Sequence, residues 1–484
     1  MIEKHKLIKL LEPHFEKYLV EDSYEVKTIK AKKLLTCTRF DIAFKLLYLE
    51  MLGRNVLFAK DFYKEQIRAF SLGRFTEPGN EEKNSIEKFF EEFDKTFEDI
   101  NTNGFDSSRS LVPLSKNGSI ANGAHRIASA LYLDKQVECV HLDMGNHVYD
   151  YKFFYNRNVS GSILDAVATK FVEYADNLHI AFIWPTAKGH DEEIEKIIPN
   201  IVYRKDVSLN PNGAHNLLSQ IYYGEEWLGS EDDNFRGSQA KLIECFQSFE
   251  AVKVIAFQAE SLDEVLTIKD KVRDVFNIGK HSIHITDTKE EAIRVARVVF
   301  NDNSIHFLNN AKPNKYISTH QKIDKFKSFV KANDLDFKDI LIDSSLVLSC
   351  YGLREARDVD YICDGCFISK KFKGIDCHDE ELSYHDNTKQ ELIYNPCNYF
   401  YFNDIKFISF FKLFKMKTNR LETKDQNDLR MMSALLKGSK VRELLASLSQ
   451  NIFYWRLKFK SHVILFLKKT GLYDLVRYIF RTIT

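Results

Sequence analysis

The chain has no net charge, because its 69 Lys and Arg residues balance 69 Asp and Glu residues. A general nucleic-acid binder needs a cationic surplus to meet phosphates, so that class is disfavoured. No apolar run is long enough to span a bilayer. No apolar signal-type segment follows Met1 either, since Glu3, Lys4, His5, Lys6 and Lys9 interrupt it. A cytoplasmic protein is expected. The eight cysteines are too scattered for a disulfide framework and suit reduced thiols. Cys363 and Cys366 have metal spacing, but Cys377 and Cys397 do not form a second pair, so free thiols are expected rather than zinc.

What is present is a globular composition, 44% hydrophobic and 29% charged. A length of 484 residues is too great for one ordinary core and predicts two to four domains. Residues 1–33 read as a polar helix and connector. Phe40, Ile42, Ala43, Leu46, Leu47 and Met51 then fall at helical spacing, and further helices are predicted over 60–75 and 85–100. The stretch from Ser110 to Asp143 reads strand, Asn117-Gly118 turn, strand, helix, strand, with Asn122 expected to cap the helix. Strands are predicted near 179–184, 201–209 and 252–258, and helices over 166–174 and 262–276. Thr288 and Glu291 have capping-box spacing. The order implies a mixed α/β (α+β), multidomain chain: 34–145, a central α/β domain over 175–311, a domain over 323–438 after a linker at 312–322, and a tail over 451–484.

The helix start Asn122-Gly123-Ala124-His125-Arg126 combines free backbone amides, a glycine permitting close approach and an arginine fork, which suits a phosphate. The string after its short hairpin resembles the ParB/sulfiredoxin superfamily, whose members include nucleotide hydrolases and small-molecule kinases. The resemblance implies a phosphate or nucleotide seat at Gly123, His125 and Arg126. His125 is read either as an acid/base or orienting group or as a core histidine. In the central domain, His281, His284 and Asp287 are candidates for metal or proton chemistry, and Lys269 with Arg273 for a phosphate; plain strand-to-helix architecture is the alternative.

The stretch from Asp343 to Tyr361 carries the main signal. Ser344-Ser345 precedes an apolar helical run, and Asp358-Val359-Asp360 alternates so that two carboxylates share one face of a strand. Adjacent carboxylates repel unless a cation lies between them, and hard oxygen ligands suit Mg²⁺. This order resembles the nucleotidyltransferase superfamily of the DNA polymerase β type, which usually has Gly-Ser or Gly-Gly where this chain has Ser344-Ser345. Lys412, Lys415, Lys417 and Arg420, followed by Lys424, Asp425 and Asp428, resemble a basic-then-acidic helical motif in branches of that superfamily. The resemblance implies Mg²⁺ on Asp358 and Asp360, a nucleoside triphosphate (ATP or CTP) on Ser344 and Ser345, and charge stabilisation by Lys415 or Arg420. Asp404 is read either as a third carboxylate or as a hairpin residue in Asn403-Asp404.

The tail interleaves aromatic and apolar residues, among them Trp455, Phe459, Val463 and Phe466, with Lys and Arg of one sign. That pattern suits a helix lying on an anionic membrane surface. The whole order loosely resembles bacterial capsule and lipopolysaccharide biosynthesis proteins. Together these features imply a nucleotidyl- or phosphoryl-transferase, peripheral on the inner face of the membrane, with a sugar, polysaccharide or lipid-linked acceptor. The other readings are a kinase or nucleotide hydrolase centred on Arg126, and a non-enzymatic nucleotide-sensing or DNA-associated regulator.

Overall fold

Short alternating strands build three main sheets in the computed structural model of this chain. The structure describes residues 1–54, 56–77, 82–439, 441, 445, 448, 452, 455, 459, 462–473 and 476. The fold is mixed α/β and multidomain. At the N-terminus β1 (Ile2–Glu3) and β2 (Ser23–Tyr24) form a small ribbon. The first sheet has the order β3-β5-β4, from β3 (Val26–Lys30), β4 (Val112–Leu114) and β5 (Gln136–His141). Residues 1–33 are therefore not a polar connector. Leu7, Leu11, Phe15 and Leu19 bury themselves against Leu111, Val140 and Leu142, so this domain begins well before residue 34. These four recur every fourth residue, as in a helix, but the chain is extended at Leu11 and Glu12 before Pro13, so they pack from short helical and 3₁₀ turns instead.

The central sheet has the order β7-β8-β6-β9, from β6 (Leu178–Ile183), β7 (Ile201–Val207), β8 (Val252–Gln258) and β9 (Ile283–Ile285), every pairing antiparallel. β6 is buried at every position, as expected for an inner strand covered on both faces. The helices Leu262–Phe276 and Lys289–Val299 follow the predicted pattern, and Thr288 caps the second by accepting from the Glu291 amide.

The third sheet has the order β12-β11-β10-β14-β13, from β10 (Ile340–Asp343), β11 (Val359–Cys363), β12 (Ile375–Cys377), β13 (Tyr399–Phe402) and β14 (Ile405–Ile408). The helix Ile317–Ala332 starts within the stretch read as a linker, because Thr319, His320 and Ile323 are buried despite polar neighbours. The central and third sheets share one continuous apolar core. Phe307, on the helix Asp302–Asn310, stacks on Phe400 at 4.5 Å and meets the edge of Tyr351 at 5.3 Å. The Ser304 hydroxyl of that helix accepts from the Tyr401 amide at 2.9 Å.

Among the described residues no helix is long and apolar enough to cross a membrane. Most of the tail, including Phe453, Tyr454, Arg456 and Lys458, lies outside the described residues. Phe307→Ala should lower the unfolding free energy by ~3–5 kcal/mol, since it removes a fully buried ring from the junction of two sheets. Urea denaturation measures this.

Candidate functional site

The site begins where β10 ends. Its last residue, Asp343, is fully buried, and its carboxylate accepts from the Ser344 amide at 2.7 Å. The chain then turns at Ser344 with φ 61° and ψ −125° into the helix Ser345–Cys350. An L side chain in that region is strained, and glycine is the residue that adopts it without cost. The position is the one at which the resembled superfamily has glycine. Here a serine accepts the strain and contributes a hydroxyl.

Strand register then gathers the carboxylates. Asp343 pairs with Asp360 across β10 and β11, and Asp360 pairs with Asp376 across β11 and β12. Asp358 lies two residues before Asp360, so alternation turns it to the same side. Each serine of the turn holds one aspartate. The Ser345 hydroxyl donates to Asp358 Oδ1 at 3.2 Å, and the Ser344 side chain lies near enough to Asp360 to favour its charged form. Burial, with the nearby charges of Asp358 and Asp343, pushes the Asp360 carboxyl up to about 6, although His378 and Ser344 act in the opposite direction.

His378 donates through Nδ1 to Asp343 at 3.0 Å, and His385 Nε2 stands 3.4 Å from the same oxygen. Burial opposes ionisation of Asp343, but these two imidazoles hold its carboxyl far below the usual range. Burial likewise opposes the charge on His378, but Asp343 and Asp360 outweigh it and raise its pKa. Neither histidine was singled out from the sequence. They sit in the irregular stretch around the 3₁₀ turn Asp379–Tyr384, where no periodicity marks them.

Among the described residues no three His, Cys, Asp or Glu side chains converge into a complete metal cage. The donor set is instead two neighbouring carboxylates, one of them reluctant to ionise without a cation. That fits Mg²⁺, which takes one or two carboxylates and completes its shell with water and substrate phosphates. Asp376 is the fourth acidic residue of this face, after Asp343, Asp358 and Asp360, and it is exposed. Asp404 is not. It forms the turn of the β13–β14 hairpin with Asn403, both at positive φ. Since Ile342 pairs with Phe407 in parallel, Asp404 lies at the opposite end of the sheet from Ser344.

The basic helical residues are also occupied otherwise than expected. On the helix Phe410–Arg420, the Arg420 guanidinium grips Asp425 with bonds of 2.9 and 2.8 Å and reaches Glu381 at 3.3 Å. Lys417 lies 2.9 Å from both Asp425 and Asp428, and Arg354 makes bonds of 2.7 and 3.0 Å to Asp428. These groups form a buried ion network that ties the helix to the stretch behind the serine turn. Lys415 is exposed and only 3.9 Å from Asp386. The structure brings neither Lys415 nor Arg420 against the two serines by a direct bond.

The other sequence-predicted seat is arranged differently. Gly123, at φ 91°, is itself the cap of the helix Ala124–Tyr132, and the Asn122 side chain accepts from the Gly123 amide at 2.6 Å. His125 Nε2 lies 2.7 Å from the Tyr63 hydroxyl, and its ring packs on Phe93 at 4.6 Å. Burial drives its pKa well below the ordinary value, which makes it a neutral core histidine. Arg126 donates to Ser110 Oγ at 2.5 Å and lies 3.7 Å from Glu12. Its guanidinium folds over Gly123 so closely that a Cβ there would meet Nη2 at 2.8 Å. The anion facing Arg126 is thus a carboxylate of the N-terminal segment.

Cys363 and Cys366 face each other across a turn, with their Cα atoms 5.9 Å apart. Cys377 and Cys397 are free and exposed. No family model matches the chain, and neither a curated protein nor a solved structure is significantly similar to it.

Three substitutions test this geometry. Ser344→Gly should raise the unfolding free energy by ~1 kcal/mol by relieving the positive φ. Asp428→Ala should lower it by ~3 kcal/mol by leaving buried cations short of a partner, whereas Lys415→Ala should change it by less than ~0.5 kcal/mol. Guanidinium denaturation of the three variants gives these values.

Proposed function

We propose that this chain is a Mg²⁺-dependent transferase that moves a nucleotidyl or phosphoryl group from a nucleoside triphosphate, ATP or CTP, to an acceptor. The observation that carries this reading is the pairing of a glycine-type turn, Ser344-Ser345, with two carboxylates that the same serines hold, Asp358 and Asp360. A Mg²⁺ ion on Asp358 and Asp360 would neutralise phosphate charge as a Lewis acid. The serine hydroxyls and the start of the helix Ser345–Cys350 would orient the donor's phosphates. His378, whose pKa Asp343 and Asp360 raise against the effect of burial, would limit the repulsion among the carboxylates before the donor arrives. Catalysis of this kind is chiefly positioning and electrostatics, which a rigid strand face supplies.

The acceptor class rests on the resemblance to surface-polysaccharide proteins and on the basic aromatic tail: a sugar, polysaccharide or lipid-linked sugar at the inner face of the membrane. A kinase or hydrolase centred on Arg126 is less well supported, because that guanidinium is already held by Ser110 and Glu12.

Isothermal titration with ATP and CTP, with and without Mg²⁺, tests the reading. Asp358→Ala should weaken Mg²⁺-dependent nucleotide binding at least about tenfold, the effect of losing one charged contact, and Arg126→Ala should leave it unchanged. Unchanged binding in Asp358→Ala would overturn the proposal.

A further inference from the structure

A cavity of about 420 Å³ opens in the central domain, on a different sheet from the carboxylates. Its walls are the helices Gly237–Cys245 and Leu262–Phe276, and β9 with the 3₁₀ turn Gly279–His281 forms its floor. Gly237 lets the first of these helices start tight against the turn Glu226–Leu228, since a Cβ there would lie 2.0 Å from the Trp227 carbonyl oxygen.

The lining is strongly one-signed. Lys241, Lys269, Arg273 and Lys280 line it, against the single carboxylate of Glu244. Asp287 answers Lys269 at 2.6 Å, and Asp270 answers one arm of Arg273 at 3.2 Å. Lys241 donates to the Lys280 carbonyl at 3.2 Å, a neutral partner that leaves its charge uncompensated. Two further nitrogens, Arg273 Nε and His281 Nδ1, are buried with no hydrogen-bond partner. The buried Arg273 Nε–H has no acceptor, and an anion with several oxygens would supply one; His281 Nδ1 would join it as a donor in the tautomer that carries its proton there.

Beside this charge stands an aromatic wall. Trp227 is 46% exposed, and Tyr222 fixes it edge to face at 5.0 Å. An exposed indole held rigid at the mouth of a cationic cavity suits the face of a sugar or base.

We propose that this cavity binds a small phosphate ester, with its phosphate among Lys241, Arg273 and Lys280 and its ring against Trp227. The site is independent of the carboxylate pair and needs no metal. It gives the chain a second place at which a phosphorylated compound is recognised.

Calorimetry on the full chain without Mg²⁺, using inorganic phosphate, glucose 1-phosphate and AMP, tests this. One ester should bind saturably at one site per chain, and inorganic phosphate should compete with it. The two esters distinguish a sugar from a nucleoside as the carrier. Lys280→Ala, a change at an exposed position, and Arg273→Gln should each weaken binding about tenfold. Trp227→Ala should weaken the ester more than inorganic phosphate, and Asp360→Asn should change neither. The proposal is overturned if none of the three probes binds, if Lys280→Ala and Arg273→Gln bind like the parent chain, or if Asp360→Asn abolishes binding. That last result would move the anion to the carboxylate site, whereas failure of the carboxylate reading alone would leave this cavity's binding intact.

Discussion

The buried carboxylate of Asp343 is the interaction on which the candidate site depends. It accepts from the Ser344 amide on one side and from His378 on the other, and through strand register it stands beside Asp360. One side chain therefore fixes the turn, the strand carrying the paired aspartates and the irregular stretch behind them. A buried charge is tolerable only with such partners. Two imidazoles and a backbone amide supply them here, and one of the two, His378, also offsets the repulsion around Asp360.

Behind that first layer lies a second buried electrostatic assembly. Glu381 stands between His378, at 3.9 Å, and Arg420, at 3.3 Å, and Arg420 leads on to Asp425, Lys417, Asp428 and Arg354. The basic and acidic residues that look like catalytic equipment in one dimension are thus the frame that keeps the helices against the sheet. Their removal acts on the site through its geometry. The shared apolar core around Phe307 joins this frame to the central domain, so the sheet with the carboxylates does not stand alone.

The regular elements were legible in the chain because periodicity reports them directly. The strand Val252–Gln258 and the helix Leu262–Phe276 coincide with their expected ranges. The face shared by Asp358 and Asp360 was legible for the same reason. What alternation cannot report is pairing between distant strands, and Asp376 joins the carboxylate face only through register with Asp360. Asp404 was ambiguous because Asn-Asp serves equally as a turn or as a strand end, and the hairpin geometry decides for the turn. Arg126 looked available because its partner, Glu12, lies far away in sequence, in a segment read as a polar helix and connector that instead folds onto the first sheet. His378 and His385 were hidden likewise, in a stretch ordered by tertiary contacts.

The account turns on a divalent cation shared by Asp358 and Asp360. Electron paramagnetic resonance of Mn²⁺, titrated with the chain and ATP from pH 8 to pH 5, tests it most directly. Burial and neighbouring charge hold the Asp360 carboxyl at about 6, so protonation should compete with the cation below that value. The account predicts one Mn²⁺ bound per chain at high pH, released as pH falls through about 6, and not bound by Asp360→Asn. Mn²⁺ that stays free at pH 8, or that binds the variant as tightly as the parent chain, would contradict it.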